Sequence, residues 1–573
     1  MKSSSKVSIR EEKGKKNPLS KYKVIRRLGS LEGFQSAQHS LGHYYSTVVT
    51  CRYAVPSSLA DPDFQPQLED ALERAIAHVV LEAPALRVGL VGQDTRKPVW
   101  VGVDTVDLRR HIEWRVLEPT TDLDQLYLDL VARRIDTPFV QLETVPGWRV
   151  LVLRVAGSQS LDVVFEWNHA NMDGMSAKIF HQMLLQQLNS SISNSGGTAS
   201  LNPVADHDDT PSLHNHILTI PPTARPLVPP IEKLVRFTLT PGWTLSQVWK
   251  ELKPPPSKKE TVSSSSTSSF STPLARWAPI RPQPYKARHR QFLLPDDRVR
   301  NVLAGCHARG ATLTSLAHVI VAVSLATRLP PSAARGFIGE TAIDMRRFMP
   351  TAPETCPWLE DPDRELGDFV SLVMHEFDGP LLEEMRTLSS SSSSSSLPPQ
   401  ETGNRDQPSG PVLSSALEEV LWFEATRVRR DIQEKLDLGL KNDPVGLTKF
   451  VVDWRTIFKD RARKPRHSSW AVSNLGVLDG SPPLSNVSAT NGESEKGIDV
   501  DKCHDNRWGI ERGMFSFGPE ATGAAMRIGL LSVKGRDLCV SCCWQDSVVD
   551  VKIGEALTAD LERWLRYLGR QVE

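Results

Sequence analysis

Apolar residues recur along this chain with two alternating periods, and the places where the period changes mark its elements. Leu68, Leu72, Ile76, Val79 and Val80 fall at helical spacing and predict a helix over 68–81. Residues 84–90 then read as an extended run. Pro146-Gly147-Trp148 opens a strand over 149–155, and a second strand covers 161–167 after a short turn, so the pair predicts a hairpin. Beyond Gly174 the period lengthens again. Met175, Ile179 and Met183 recur every fourth position beside a stripe of Phe180, Leu184 and Leu188, as in an amphipathic helix with one buried face.

The second half repeats the theme. Phe292-Leu293-Leu294 predicts a short strand, 296–309 a helix, and Thr312 the cap of an apolar helix over 314–327. A strand ends within 342–346, and further strands are predicted at 470–475, 525–533 and 538–544. The closing segment, 556–568, sets Leu557, Leu561, Trp564, Leu565 and Leu568 on one helical face. That face suits docking into a core, with attachment to a membrane surface as the alternative.

Polar, low-complexity stretches divide these elements: 190–209, 254–271, 389–411 with eight consecutive serines, and 480–501. None carries enough apolar surface to offset the entropy of ordering, so they are expected to be mobile insertions. At 573 residues the chain far exceeds the single-domain mode of roughly 100–150. The expected organisation is a polar tail over 1–22, a first lobe over 23–250 with an insertion at 190–215, a linker over 251–272, and a second lobe over 273–573 with insertions at 389–411 and 480–503. The fold class is mixed α/β (α+β), each lobe a sheet with helices.

Composition narrows the function. Lys+Arg and Asp+Glu number 68 each, which argues against a nucleic-acid binder. The basic N-terminal residues, Lys13 to Arg27, read as a local solvated arm. The seven cysteines show no paired zinc-finger spacing, and Cys539 and Cys542 lie in a strand-like run, so reduced core thiols in a reducing compartment are expected. No secretory signal and no run of 18 apolar residues stands out.

The most informative segment is His169-Ala170-Asn171-Met172-Asp173-Gly174, one residue after the strand over 161–167. A histidine at a strand-to-helix junction is held at a cleft by rigid elements. It has two readings: a turn in which Asp173 merely caps the helix, and a general base for acyl transfer.

The flanks resemble the fungal alcohol O-acetyltransferase family, within the chloramphenicol-acetyltransferase-like and condensation-domain superfamily of CoA-dependent acyltransferases. The resemblance is carried by Arg27-Leu28-Gly29, His39, Leu41-Gly42-His43-Tyr44-Tyr45, Pro84-Ala85-Leu86-Arg87, Pro146-Gly147-Trp148-Arg149 and the His169 motif. In the second half it takes in Gly310-Ala311-Thr312-Leu313-Thr314, Ile343-Asp344-Met345-Arg346, Gly367-Asp368-Phe369 and Ser473-Asn474-Leu475-Gly476. The Asp-Phe-Gly-Trp-Gly segment of the plant branch has no match here, which disfavours a plant-type hydroxycinnamoyl or anthocyanin acyltransferase.

The resemblance implies two lobes with an active-site tunnel between them, and an acetyl-CoA-dependent transfer to the hydroxyl of a small or medium alcohol. His169 would be the base and Asp173 mainly structural, paired with an arginine. Arg87 is the best positional match to that arginine and Arg52 the alternative. Gly174 would permit close backbone approach, and Ser473 or Asn474 would serve the oxyanion or line the tunnel. Lys286, Arg288 and Arg290 are candidates for the CoA phosphates. Acetyl-CoA would be a co-substrate, with no permanently bound cofactor and no metal. A monomer is expected, cytoplasmic or peripheral on endoplasmic reticulum or lipid droplets. The alternatives are N-acetylation of a long-chain amine such as a sphingoid base, and a catalytically silent binding protein on the same fold.

Overall fold

The computed structural model describes residues 19–193, 211–252, 275, 277–391, 413–482 and 506–570. The expectation of mobile insertions falls largely outside these residues. Two mixed sheets organise the described chain. One has five strands in the order Gly509–Phe517, Thr47–Ala54, Ser160–Trp167, Trp148–Val155, Ile112–Leu117. The other has six, in the order Ala287–Leu294, Leu538–Gln545, Met526–Val533, Trp470–Leu478, Phe337–Asp344, Val370–Phe377.

The expected hairpin lies at the centre of the first sheet, its strands antiparallel with Trp148 opposite Trp167. Val163, Phe165 and Trp167 alternate inward toward the helices Gln65–Glu82 and Gly174–Ser193. Phe165 stacks on Phe180 with ring centroids 3.9 Å apart, which ties the strand before the motif to the helix after it. Helix 65–82 buries Leu68, Leu72, Ile76, Val79 and Val80, the residues whose spacing predicts it. In the second lobe Thr312 accepts a hydrogen bond from Ser315 N and caps the buried helix Leu313–Arg328.

Three expectations change. Residues 84–90 are not extended throughout. Pro84–Arg87 forms a 3-10 turn before the strand Val88–Val91, because proline's fixed φ starts a turn at the first helical position. The insertion expected at 190–215 is narrower, since the motif helix runs to Ser193 and Leu213–His214 pairs with Ile217–Thr219. The second lobe is not contiguous: Gly509–Phe517 pairs along Thr47–Ala54 in the first sheet, and its Phe515 and Phe517 join the first lobe's core. This strand also lies over Met526–Val533. Gly529 makes that crossing possible, because a Cβ there would sit 2.5 Å from Phe515 O.

The closing helix, Val551–Leu568, buries Leu557, Leu561, Trp564 and Leu565 in the second lobe's core, as the docking reading expects. Among the described residues no single helix is long and apolar enough to cross a membrane. Cys539, Cys542 and Cys543 are buried free thiols on the strand Leu538–Gln545, as expected of core cysteines.

Candidate active site

His169 leaves the central strand of the first sheet in a tight turn held by Asn168, whose Oδ1 accepts from Ala170 N at 3.0 Å. The Trp167 indole donates to Met172 O at 2.8 Å and closes the same turn. The imidazole keeps 18 % of its side-chain surface exposed, with the Tyr44 ring edge-on at 5.7 Å. Burial lowers its pKa below the ordinary value against the opposing pull of Asp173 and Glu520, so the ring is neutral near pH 7. A neutral imidazole is the form that accepts a proton.

Asp173 turns away from His169 into a saturated network that crosses to the second lobe. Its Oδ1 accepts from Ser176 N and Ser176 Oγ, both at 2.9 Å, and from Arg346 Nη2 at 3.0 Å. Its Oδ2 accepts from Arg346 Nη1 and Phe369 N, both at 2.9 Å. Burial opposes the charge, but Arg346 and these backbone donors outweigh it and hold the carboxyl below the usual carboxylate range. Arg346 in turn donates to Glu365 O and to Asp344 Oδ1, both at 2.9 Å, and lies over the Phe369 ring. The Asp173 N–H donates to Gly367 O at 3.0 Å, and Ser176 Oγ contacts both the carbonyl and the N–H of Gly367. One carboxylate thus fixes the motif turn, the end of strand Phe337–Asp344 and the loop before strand Val370–Phe377.

The arginine expected at this position is therefore corrected. Arg87 ends the 3-10 turn that follows helix 65–82 and spends its guanidinium on the carbonyls of Val80, Leu81 and Arg225. Arg52 sits directly across from Asp162 in the sheet and pairs with it at 2.8 Å. Arg346 holds the role instead. It belongs to one of the segments that carry the resemblance, but only the packing of the two sheets brings it to Asp173.

Gly174 starts the motif helix where a Cβ would lie 3.0 Å from Leu475 Cδ2 and 3.3 Å from the Phe515 ring. Strand Trp470–Leu478 thereby passes over the helix start, and Lys178 Nζ donates to Leu475 O at 3.1 Å. Of the two oxyanion candidates on this strand, Asn474 is engaged in a turn. It donates to Thr314 Oγ1 at 3.0 Å and accepts from Gly476 N at 2.8 Å. Ser473 is half-buried on the same strand. The CoA-phosphate candidates are paired with acids: Lys286 and Arg288 with Asp546, Arg290 with Glu555.

Sequence reasoning missed Asp368. It lies in the loop that Asp173 holds, fully buried, with its Oδ1 3.6 Å from His169 Nδ1. Neither carboxyl oxygen has a hydrogen-bond partner among the described residues. The Gly-Asp-Phe string was visible in the sequence, but nothing in its spacing points toward His169.

His169 is thus carried by the first sheet, in a turn whose Asp173 is clamped by Arg346 from the second. The model of the alcohol acetyltransferase family matches residues 128–357, which include both His169 and Arg346. A probable alcohol acetyltransferase, FCK4, from Fusarium pseudograminearum is 26 % identical over 564 residues, covering 96 % of each chain. A second, crmB from Aspergillus fumigatus, is 21 % identical over 536 residues, 91 % of this chain and 95 % of that one. Among solved structures, the TRI3 trichothecene 15-O-acetyltransferase from Fusarium sporotrichioides shares the fold with a TM-score of 0.60 at 12 % identity, over 95 % of each chain. The first condensation domain of the CDA synthetase does so with a TM-score of 0.51 at 12 % identity, over 95 % of this chain and 96 % of that one. The chain is an acyltransferase enzyme of the condensation-like fold. Residues 128–357, which carry the site, are similar to the alcohol acetyltransferase family.

Proposed function

We propose that the protein transfers an acetyl group from acetyl-CoA to the hydroxyl of a small or medium alcohol, with His169 as general base. The observation that carries this reading is the neutral, partly exposed imidazole of His169, held between the lobes by a turn that Asp173 and Arg346 lock. The Nε2 lone pair takes the proton from the acceptor hydroxyl as its oxygen attacks the thioester carbonyl. The tetrahedral intermediate collapses, the C–S bond breaks, and the imidazolium returns that proton to the departing thiolate. One nitrogen serves both steps because imidazole titrates near working pH, and positioned proton transfer of this kind contributes about 10²–10⁴-fold. Ser473, on the strand that crosses the helix start, is the candidate donor to the oxyanion. Acetyl-CoA is a co-substrate in this scheme, and no resident group is required.

The test is thiol release from acetyl-CoA by the purified protein across a panel of alcohols and long-chain amines. Release stimulated by alcohols and lost by at least about 100-fold in His169→Ala, with an unchanged circular dichroism spectrum, is the expected result. Stimulation by amines alone would move the acceptor to nitrogen. Full turnover in His169→Ala would remove the base from the scheme.

A further inference from the structure

The six-stranded sheet has two unlike faces. Trp470, Val472, Met526 and Ile528 point into the second lobe's core, so the alternate residues Ala471 and Arg527 face the first lobe. The register sets them in a row: Glu340 lies beside Ala471, Ala471 beside Arg527, and Arg527 beside Cys543. Cys543 packs among Val48, Leu151 and Val164 of the first sheet, so the row lies between the lobes. Ala471 is a gap in it. Glu340 and Arg527 stand two strand spacings apart, about 10 Å at the backbone, with only a methyl group between them.

Both flanking side chains are buried and only partly used. Arg527 donates from Nη2 to Glu520 Oε2 and lies over the Phe517 ring, with 12 % of its side chain exposed. Its buried Nε has no acceptor among the described residues. Glu340 is 7 % exposed and accepts from Ser468 Oγ at Oε1 alone. A buried donor without an acceptor forfeits its desolvation without return, so a ligand oxygen that enters the gap completes what the fold leaves open. The gap is also close to the base. Arg527 and Glu520 act on the His169 charge in opposite senses, and Arg527 acts on Tyr44, whose ring stands edge-on to the imidazole. Ala521 N donates to His43 O at 2.9 Å, which ties the loop before Arg527 to the residue before Tyr44.

We propose that Arg527 and Glu340 form a subsite that selects an acceptor alcohol carrying a second, neutral oxygen. Arg527 Nε–H donates to that oxygen and, where it is a hydroxyl, its own O–H donates to Glu340 Oε2. This rests on the acetyl-transfer reading and names its substrate class. Charge favours a neutral group. The cations acting here are Arg527 and Arg461, against the carboxyl groups of Glu520 and Glu340, so the site is balanced before a ligand enters. Arg466 adds nothing for an anion, because it spends its guanidinium on the carbonyls of Ala278, Pro279, Glu520, Ala521 and Gly523. A hydroxyl both accepts and donates, which suits a guanidinium on one side of the gap and a carboxyl on the other.

The experiment measures thiol release with 1-hexanol, the hexanediols that keep one terminal hydroxyl, and 6-hydroxyhexanoate. At least one diol is expected to exceed 1-hexanol in kcat/KM by about tenfold or more, through a lower acceptor KM, because a site built to bond a hydroxyl rejects the analogue that lacks it. Arg527→Lys keeps a cation for Glu520 but loses the Nε–H of the planar fork. Glu340→Gln keeps the Ser468 bond at its amide oxygen and turns an N–H toward the gap, and it carries the test alone if Arg527→Lys does not fold. Each variant is expected to bring the diol preference within about threefold, with the acetyl-CoA KM within about twofold of wild type. A merely structural role would slow both alcohols alike and leave their ratio. Equal kcat/KM for 1-hexanol and every diol, a preference for 6-hydroxyhexanoate, an unmoved ratio in the variants, or a change confined to the acetyl-CoA KM would overturn the proposal. If no acceptor releases thiol, the acetyl-transfer reading fails, and ligand-observed NMR titration of the same alcohols into His169→Gln decides the subsite: tighter diol binding that Glu340→Gln removes sustains it, and equal binding ends it.

Discussion

Asp173 and Asp368 are 195 positions apart in sequence and lie in adjoining loops around one histidine, yet the fold treats them oppositely. Asp173 accepts five hydrogen bonds, two of them from Arg346, and is stabilised as an anion. Asp368 accepts none among the described residues and is stabilised as an acid. A carboxylate whose lone pairs are all occupied has nothing left for chemistry and serves as a joint. One left unsatisfied beside an imidazole has a free acceptor in a medium where a single hydrogen bond matters most. The difference teaches that the recognisable aspartate of the motif is the architectural one.

The sharpest way to break the contrast is to remove the joint's other half. Arg346→Met leaves the Asp173 charge buried without its partner, for which a loss of about 3–5 kcal/mol is expected. Urea denaturation should show the loss, and acetyl transfer should disappear with it, because both the motif turn and the 367–369 loop lose their anchor. Adding Asp173→Asn to Arg346→Met should restore part of the stability, since the orphaned charge is gone. No recovery in the double variant would mean that packing of the guanidinium over Phe369, rather than the ion pair, sustains the joint.

The second effect is smaller and has opposite signs at the two carboxyls. An unfolded aspartate titrates near pH 3.9. Asp173 is depressed below that in the fold, so its contribution is present above about pH 4 and fades as the pH falls through its folded value. Asp368 is raised, so the preference of its site for the acid stabilises the fold below about pH 4 and is lost as the pH rises through the folded value. Asp368→Asn should therefore melt higher than wild type near neutral pH and lose that advantage toward pH 4, while Asp173→Asn melts lower at neutral pH. Melting temperatures across this range read both signs at once.

How much of this was legible in the sequence follows from the range of the interactions. The hairpin, the motif helix and the Thr312 cap were read correctly because each is set by periods or caps within about twenty residues. Strand Gly509–Phe517 was not, although it completes the first sheet, because the decision to cross from one sheet to the other is made by its partners Thr47–Ala54 and Met526–Val533. The same limit explains the arginine. Arg87 and Arg346 both end an apolar segment next to a strand, and only the packing of one sheet against the other separates them. His169 was visible because strand, turn and helix frame it locally. Asp368 was not, because it meets His169 across 199 positions of sequence.

The weakest effect is expected at Arg52, and it sharpens the assignment of the arginine. Its guanidinium bridges Asp162 on the neighbouring strand through Nε at 3.0 Å and Nη2 at 2.8 Å, with 23 % of the side chain exposed. The Asp162 carboxylate is buried, with 9 % of its side chain exposed, so Arg52→Gln should lose about 1–3 kcal/mol, partly recovered by the amide's own hydrogen bond to Asp162. Acetyl transfer should match wild type, because Asp162 sits near the start of its strand and the motif at the end. Arg52→Gln and Arg346→Met thus remove the same charge from two ion pairs of one fold. Comparable losses of turnover in both would mean that the site responds to net charge between the sheets, whereas a loss confined to Arg346→Met ties catalysis to the clamp on Asp173.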